Sequence, residues 1–254
     1  GNPPERIAEV PAGVLNSIGL QNPGKDAFFA QTMPRVLAAL ERDQIVVSVG
    51  GDTIEDYVAL CRETEARFGG RIAALELNAA CPNVSHGAGF YSRDPQAARE
   101  LVQAVREAVV LPVFLKFNTN FPNYLEVAAA VEAAGADALY TTNTPLGMKI
   151  DLHRRRPALG NGRGPICGPA IRPIGVLRTW ELYEAVRLPI IASGGIRTWE
   201  DAVEYLLAGA CAVGVGSAQF VQPDAASDIL SGLERYAAAE GLECLTPLVG
   251  AAHP

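Results

Sequence analysis

The chain has 254 residues, 49% of them hydrophobic, enough to bury a full core as one domain over residues 1–254. Its formal net charge of -7 speaks against a nucleic-acid partner, whose phosphates select a basic face. No stretch approaches the roughly 20 uninterrupted apolar residues of a membrane span.

In chain order, Gly1 to Pro11 is proline-rich and polar, unlike a signal peptide, and Gly1 to Asn22 has no capped start of its own. From residue 45 onward one unit recurs: a short apolar run, a polar turn, then a helical pattern. The runs are Ile45–Val49, Ile72–Leu77, Pro112–Phe117, Ala138–Thr142, Pro189–Ala192 and Ala212–Val215. They are too short for helices, rich in branched residues and without strict alternation, the pattern of parallel strands covered on both faces. Between the first two runs, Tyr57, Leu60, Cys61, Thr64 and Phe68 share one helical face. Asp52 with Glu55 reads as the cap pair of that helix, and Gly69 as its left-handed end. Asn123 with Glu126, closing at Gly135, repeats the arrangement, and a third helix runs from Thr198 to Gly209. Arg154, Arg155 and Arg156 read first as a solvated loop, with an anion or partner contact as the sharper reading. The five cysteines, Cys61, Cys81, Cys167, Cys211 and Cys244, contain no C-x-x-C pair. They suggest neither a metal site nor a disulfide framework, and they fit a reduced, cytoplasmic protein.

Alternating strands and helices with short connections imply an α/β fold with a parallel sheet. Six strands are legible, whereas a closed TIM barrel, (β/α)8, has eight. The expectation is such a barrel with its first two strands missing from this chain.

Four motifs, in order, carry a resemblance. They are Asn16-Ser17-Ile18-Gly19-Leu20-Gln21-Asn22-Pro23-Gly24, then Glu76-Leu77-Asn78-Ala79-Ala80-Cys81-Pro82-Asn83-Val84, then Gly168-Pro169-Ala170-Ile171-Arg172-Pro173, then Ser193-Gly194-Gly195-Ile196. Gly216-Ser217-Ala218 closes the series. Together they are similar to the signature series of dihydroorotate dehydrogenases, over essentially the whole chain. The resemblance implies an FMN-dependent β/α barrel that oxidises dihydroorotate to orotate in pyrimidine biosynthesis. In that family the first two strands bring flavin contacts and a lysine touching flavin and substrate, and no residue here fills that role.

Barrel active sites lie at the C-terminal strand ends, just past each apolar run. Cys81 lies a few residues past Leu77, and the resemblance makes it the base that takes the C5 proton. A free thiol has a pKa of about 8.5, so the site must promote thiolate or pass the proton through water. Cys61 and Cys211 read as small buried hydrophobes. The resemblance places Asn16, Ser17, Ile18, Gly19, Leu20, Asn78, Asn83, Asn143 and Thr144 around the substrate. A carboxamide suits a ring edge that carries both donors and acceptors. Lys116 ends an apolar strand where an unpaired charge is expensive. By resemblance it stands near flavin N1 and O2, where negative charge gathers. Gly194, Gly195, Gly216 and Ser217 follow the last two strands and can cradle the FMN phosphate on open backbone N–H groups. Ser48, Asn78, Thr142 and Gly168 are further FMN contacts by resemblance.

Cys167 stands where the family often has serine, which makes it a second candidate base. His86 reads as a loop residue or a proton relay. Gly19-Leu20-Gln21-Asn22 and Gly147-Met148-Lys149-Ile150-Asp151 look more like the NAD-linked subclass. That subclass works with a second subunit carrying FAD and a 2Fe–2S cluster, in a homodimer or heterotetramer, and no cysteine cluster here could hold the cluster. The alternatives are another flavin barrel acting on a dihydropyrimidine or on tRNA, a non-catalytic barrel remnant, and a phosphate-binding isomerase.

Overall fold

The computed structural model describes residues 1–41, 44–80 and 88–254. The chain opens with a hairpin, β1 (Ile7–Val10) and β2 (Gly13–Asn16). A helical stretch follows: α1 (Lys25–Ala27), a π turn over Phe28–Thr32, and α2 (Met33–Ala39). The repeating part comprises β3 (Val46–Val49), α3 (Ile54–Phe68), β4 (Ala74–Asn78), α4 (Ala88–Tyr91), α5 (Pro95–Arg106), β5 (Val113–Lys116), α6 (Tyr124–Ala133) and β6 (Ala138–Thr141). An excursion contains β7 (Leu146–Gly147), β8 (Ile150–Asp151), β9 (Arg156–Pro157) and β10 (Gly164–Cys167). The repeat then resumes with α7 (Arg172–Ala185), β11 (Ile190–Ser193), α8 (Trp199–Leu207), β12 (Ala212–Gly214) and α9 (Ala225–Glu240).

All six apolar runs form strands, and they pair in parallel in the order β3-β4-β5-β6-β11-β12 as a curled half-barrel. Burial alternates along β3, β5 and β11, contrary to the expectation that both faces are covered. In β3, Val47 and Val49 are buried while Val46 and Ser48 are exposed. Val47, Leu75, Leu77, Val113, Leu115 and Leu139 pack beneath the helices in one core, which includes Tyr57, Leu101 and Val127. A second core joins Ala192 to α8 and α9 through Tyr205, Leu206 and Ile229.

The Gly1–Asn22 segment belongs to a second sheet, antiparallel, in the order β1-β2-β10-β7. Its short strands have no continuous apolar run, so their pairing is visible only where β10 returns to β2. The arginine run sits on the small β8–β9 ribbon, exposed, with Arg154 3.6 Å from the Asp151 carboxylate. Among the described residues no helix is long and apolar enough to cross a membrane.

Four local expectations are corrected. The first cap is Thr53 with Asp56, one residue later than Asp52 with Glu55. The Thr53 hydroxyl accepts from the Asp56 N–H at 3.2 Å, and the Asp56 carboxylate accepts from the Thr53 N–H at 3.1 Å. Both pairs have the same spacing; Thr53 wins because it is the residue held in the extended conformation. Gly69 is right-handed (φ −55°) and leads into a short 3-10 turn, whereas Gly135 (φ 85°) and Gly209 (φ 115°) do take the left-handed position. Asn123 does not cap α6; its side chain donates to the Arg93 carbonyl instead. The third helix behaves as read, with Thr198 and Asp201 forming a capping box. Cys61 is fully buried, which pushes its thiol up to about 12, but Cys211 is exposed rather than buried.

The observed cap predicts that Thr53→Ala costs about 1 kcal/mol in urea unfolding. Glu55→Ala is expected to stay within about 0.5 kcal/mol of the parent.

Candidate active site

Strand register decides which side chains share the inner face of the parallel sheet. Because side chains alternate, the pairings define one row of Ser48, Glu76, Phe114 and Ala138 and a second of Asn78, Lys116, Tyr140, Ile191 and Ala212. In the first row the Ser48 hydroxyl donates to Glu76 Oε1 at 2.7 Å. In the second, Lys116 Nζ lies 4.8 Å from the centroid of the Tyr140 ring. The electron-rich face of the tyrosine offsets part of the cost of holding an ammonium away from bulk water. Tyr140 reaches across to β12, where a Cβ on Gly214 would lie 2.2 Å from its hydroxyl.

Beyond these rows, at the C-terminal strand ends, lies a cavity of about 260 Å³. It brings together Lys116, Thr142 and Gly168 with the two glycine loops, Gly194-Gly195 and Gly216-Ser217. Asn143 and Thr144 line it too, as do Tyr140 and Cys167. The Gly194-Gly195 turn uses backbone in which a side chain would be strained, whereas Gly216 has open space around it. Gly194 and Gly195 have φ of 128° and 74°. A Cβ on Gly195 would sit 2.8 Å from the Gly168 carbonyl oxygen and 3.0 Å from the Arg172 nitrogen. Beneath the turn, the buried Tyr205 donates its hydroxyl to the Gly194 carbonyl at 2.8 Å. Burial drives the Tyr205 pKa upward, so the phenol stays a donor. Arg172 pairs with Asp201, and also with Glu204 at 3.1 Å, tying α7 to α8 below the same loops.

Other expected site residues fall elsewhere. Ser48 faces a separate hollow of about 270 Å³, which Asn22, Gly24 and Lys25 also line. Asn78 is next to Lys116 in register; its carbonyl accepts from Tyr57 at 2.8 Å and its Oδ1 from the Ala80 N–H at 3.3 Å. Asn16 touches the cavity wall through Cys167, its Nδ2 donating to the sulfur at 3.3 Å. Ser17, Ile18, Gly19 and Leu20 are not part of the lining. Ser17 is buried and Leu20 is 44% exposed. Cys81, Asn83 and His86 lie outside the described residues.

The chain leading to Cys81 is nevertheless held firmly. The Ser92 hydroxyl donates to the Ala79 carbonyl at 2.6 Å and accepts from the Asn118 N–H at 2.9 Å. Asn143 Nδ2 donates to the Ala80 carbonyl. Asn120 Nδ2 bridges Asn118 Oδ1, at 2.7 Å, and the Asn143 carbonyl, at 3.0 Å. The ends of β4, β5 and β6 are thus one hydrogen-bonded unit.

Comparison with known proteins agrees with this architecture. The sequence model described as "Dihydroorotate dehydrogenase" matches residues 1–236. The chain belongs to the dihydroorotate dehydrogenase family. Among relatives named "Dihydroorotate dehydrogenase B (NAD(+)), catalytic subunit", that of Desulforudis audaxviator is 46% identical over all of this chain and 81% of its own length. That of Desulforamulus reducens is 44% identical over all of this chain and 82% of its own length. The Geotalea uraniireducens subunit is 43% identical over 99% of this chain and 81% of its own length.

Tyr140, Tyr205, Ser92, Asn118 and Asn120 also shape this region, although no motif in the sequence singles them out. Asn118 and Asn120 carried a usable signal, since they directly follow the Lys116 strand where barrel sites gather. Tyr140 and Tyr205 carried none, because their roles depend on contacts with distant glycines. Losing the Tyr205 hydroxyl leaves a buried carbonyl short of a donor. Tyr205→Phe should therefore lower stability by about 1 kcal/mol in urea unfolding.

Proposed function

We propose that this chain oxidises dihydroorotate to orotate in pyrimidine biosynthesis, with FMN as its flavin and Cys81 as the base. The observation that carries the reading is the convergence of Lys116, two glycine loops and the Asn143-Thr144 strand end on one cavity, in a chain whose full length matches the family. The half-barrel would be part of an eight-stranded barrel forming one domain, since β3 and β12 are both edge strands of the parallel sheet.

The residues present suit FMN. Gly194-Gly195 and Gly216-Ser217 offer backbone N–H groups without side-chain obstruction, the requirement of a phosphate cradle. Just ahead of α8, Asp201 accepts from the Arg197 and Thr198 N–H groups at 2.8 and 3.1 Å, which fixes the chain between the Gly194-Gly195 turn and the helix. Gly168, Thr142 and Lys116 would hold the remainder, with Asn78, beside Lys116 in register, as a further contact. When bound, FMN supplies the acceptor for the hydride leaving C6.

The chain's own residues do the rest. Cys81, as thiolate, removes the C5 proton. The Lys116 ammonium keeps a positive charge at the cavity floor, where it stabilises negative charge developing beside it. Asn16, Asn78, Asn83, Asn143 and Thr144 bind the ring. The Asn143–Ala80 hydrogen bond couples ring binding to the segment that leads into Cys81. The relatives' names describe NAD-linked catalytic subunits. By extension, electrons would leave this chain through a cytoplasmic partner subunit carrying FAD and a 2Fe–2S cluster, in a homodimer or heterotetramer.

The test is an anaerobic absorbance titration of the purified protein with dihydroorotate. Bleaching of an oxidised flavin band is expected; a flavin that stays oxidised would refute the substrate. In single-turnover reduction Cys81→Ala should lose at least about a hundred-fold while still binding orotate. A normal rate in that variant would remove Cys81 from the role. Gly195→Ala should copurify with markedly less flavin, read as the ratio of visible to ultraviolet absorbance.

A further inference from the structure

We propose that Cys167 is a positioning residue for the substrate, its sulfur fixing the carboxamide of Asn16. The inference rests on the dihydroorotate reading above. β10 and β2 are antiparallel, with Cys167 opposite Val14 and Ile166 opposite Leu15. Side chains alternate, so Asn16 falls on the same face as Val14 and Cys167, diagonal to the cysteine. There Asn16 Nδ2 donates to the Cys167 sulfur at 3.3 Å. Cys167 also lines the cavity that Thr144 and Asn143 line from the end of the parallel sheet. It therefore sits where the two sheets meet, between two residues proposed to touch the ring.

The chemistry of the pair follows. A carboxamide presents donors at one end and an acceptor at the other, and the two orientations are nearly equal in shape. A sulfur that accepts from Nδ2 selects one orientation and leaves Oδ1 free to accept from a ring N–H. The thiol suits this work better than proton abstraction. Burial raises its pKa, while Asn16 and Thr144 pull it back only in part. Burial thus favours the neutral thiol, the form that can accept from Asn16 while standing at the cavity wall.

Orotate affinity, read by perturbation of the flavin spectrum of the loaded full-length protein, tests the proposal beside steady-state kinetics. Cys167→Ala should weaken orotate binding about five-fold, the effect of one lost hydrogen bond. The same change should raise KM for dihydroorotate more than it lowers kcat. Cys167→Ser, whose hydroxyl can accept from Nδ2, should restore most of the loss. In an Asn16→Ala background, Cys167→Ala should cost nothing further. Flavin content and the urea midpoint of each variant identify any general structural damage. The proposal is overturned if Cys167→Ala binds orotate like the parent, if serine fails to rescue a folded protein, or if the two losses add in full. A parent protein that neither binds orotate nor is reduced by dihydroorotate would instead refute the substrate reading, and this inference with it.

Discussion

The pleat of the parallel sheet is the constraint on which the rest of the site depends. Its outer face is dry: Leu75, Leu77, Val113, Leu115, Leu139 and Ala192 are almost completely buried. Each large aliphatic side chain held there contributes about 2 kcal/mol relative to exposure. A slip of one residue in any strand would turn those side chains inward and Glu76, Asn78 or Lys116 into the helix layer. The apolar face therefore fixes the register, and the register delivers the polar residues of opposite parity to one concave side. Tyr140 and Ser193 arrive by the same rule as Lys116.

At the strand ends the constraint changes from side-chain packing to backbone shape. The glycine turn at Gly194-Gly195 is pressed between the Gly168 loop above and the Tyr205 hydroxyl below. Gly168 in turn abuts the hairpin, where a Cβ would lie 2.8 Å from the Gly13 α-carbon. The antiparallel sheet is thus braced against the cavity wall rather than appended to the surface. The same bracing brings Asn16 to Cys167. On the opposite side, Ser92, Asn118, Asn120 and Asn143 take up the carbonyls and amides that leave the sheet as β4, β5 and β6 end. Buried backbone polar groups need partners, and here the partners also couple three strand ends.

Lys116 links these two regimes. It belongs to the strand register through its pairing with Asn78 and Tyr140, and its ammonium lies at the cavity. The Tyr140 ring lies under the ammonium, while the Tyr140 hydroxyl reaches across to Gly214. A glycine in the last strand thereby makes room for the residue that supports a lysine three strands away.

By itself the sequence determined the six parallel strands, the Thr198 helix start and the strand-end positions of Lys116, Thr142, Gly168, Gly194 and Gly216. These are local properties: apolar runs, capping residues and turn glycines act over a few positions and are legible in a short window. The Thr53 cap was missed by one residue because two pairs of the same spacing compete there. Only the tertiary structure decided which face each strand buries, that Ser48 turns to a different hollow, and that Gly13–Asn16 pairs with β10. Asn16 and Cys167 are 151 positions apart, and Tyr205 and Gly194 lie on different elements. Contacts of that kind are selected by the packing of whole sheets and helices against one another, for which no local pattern of residues carries the information.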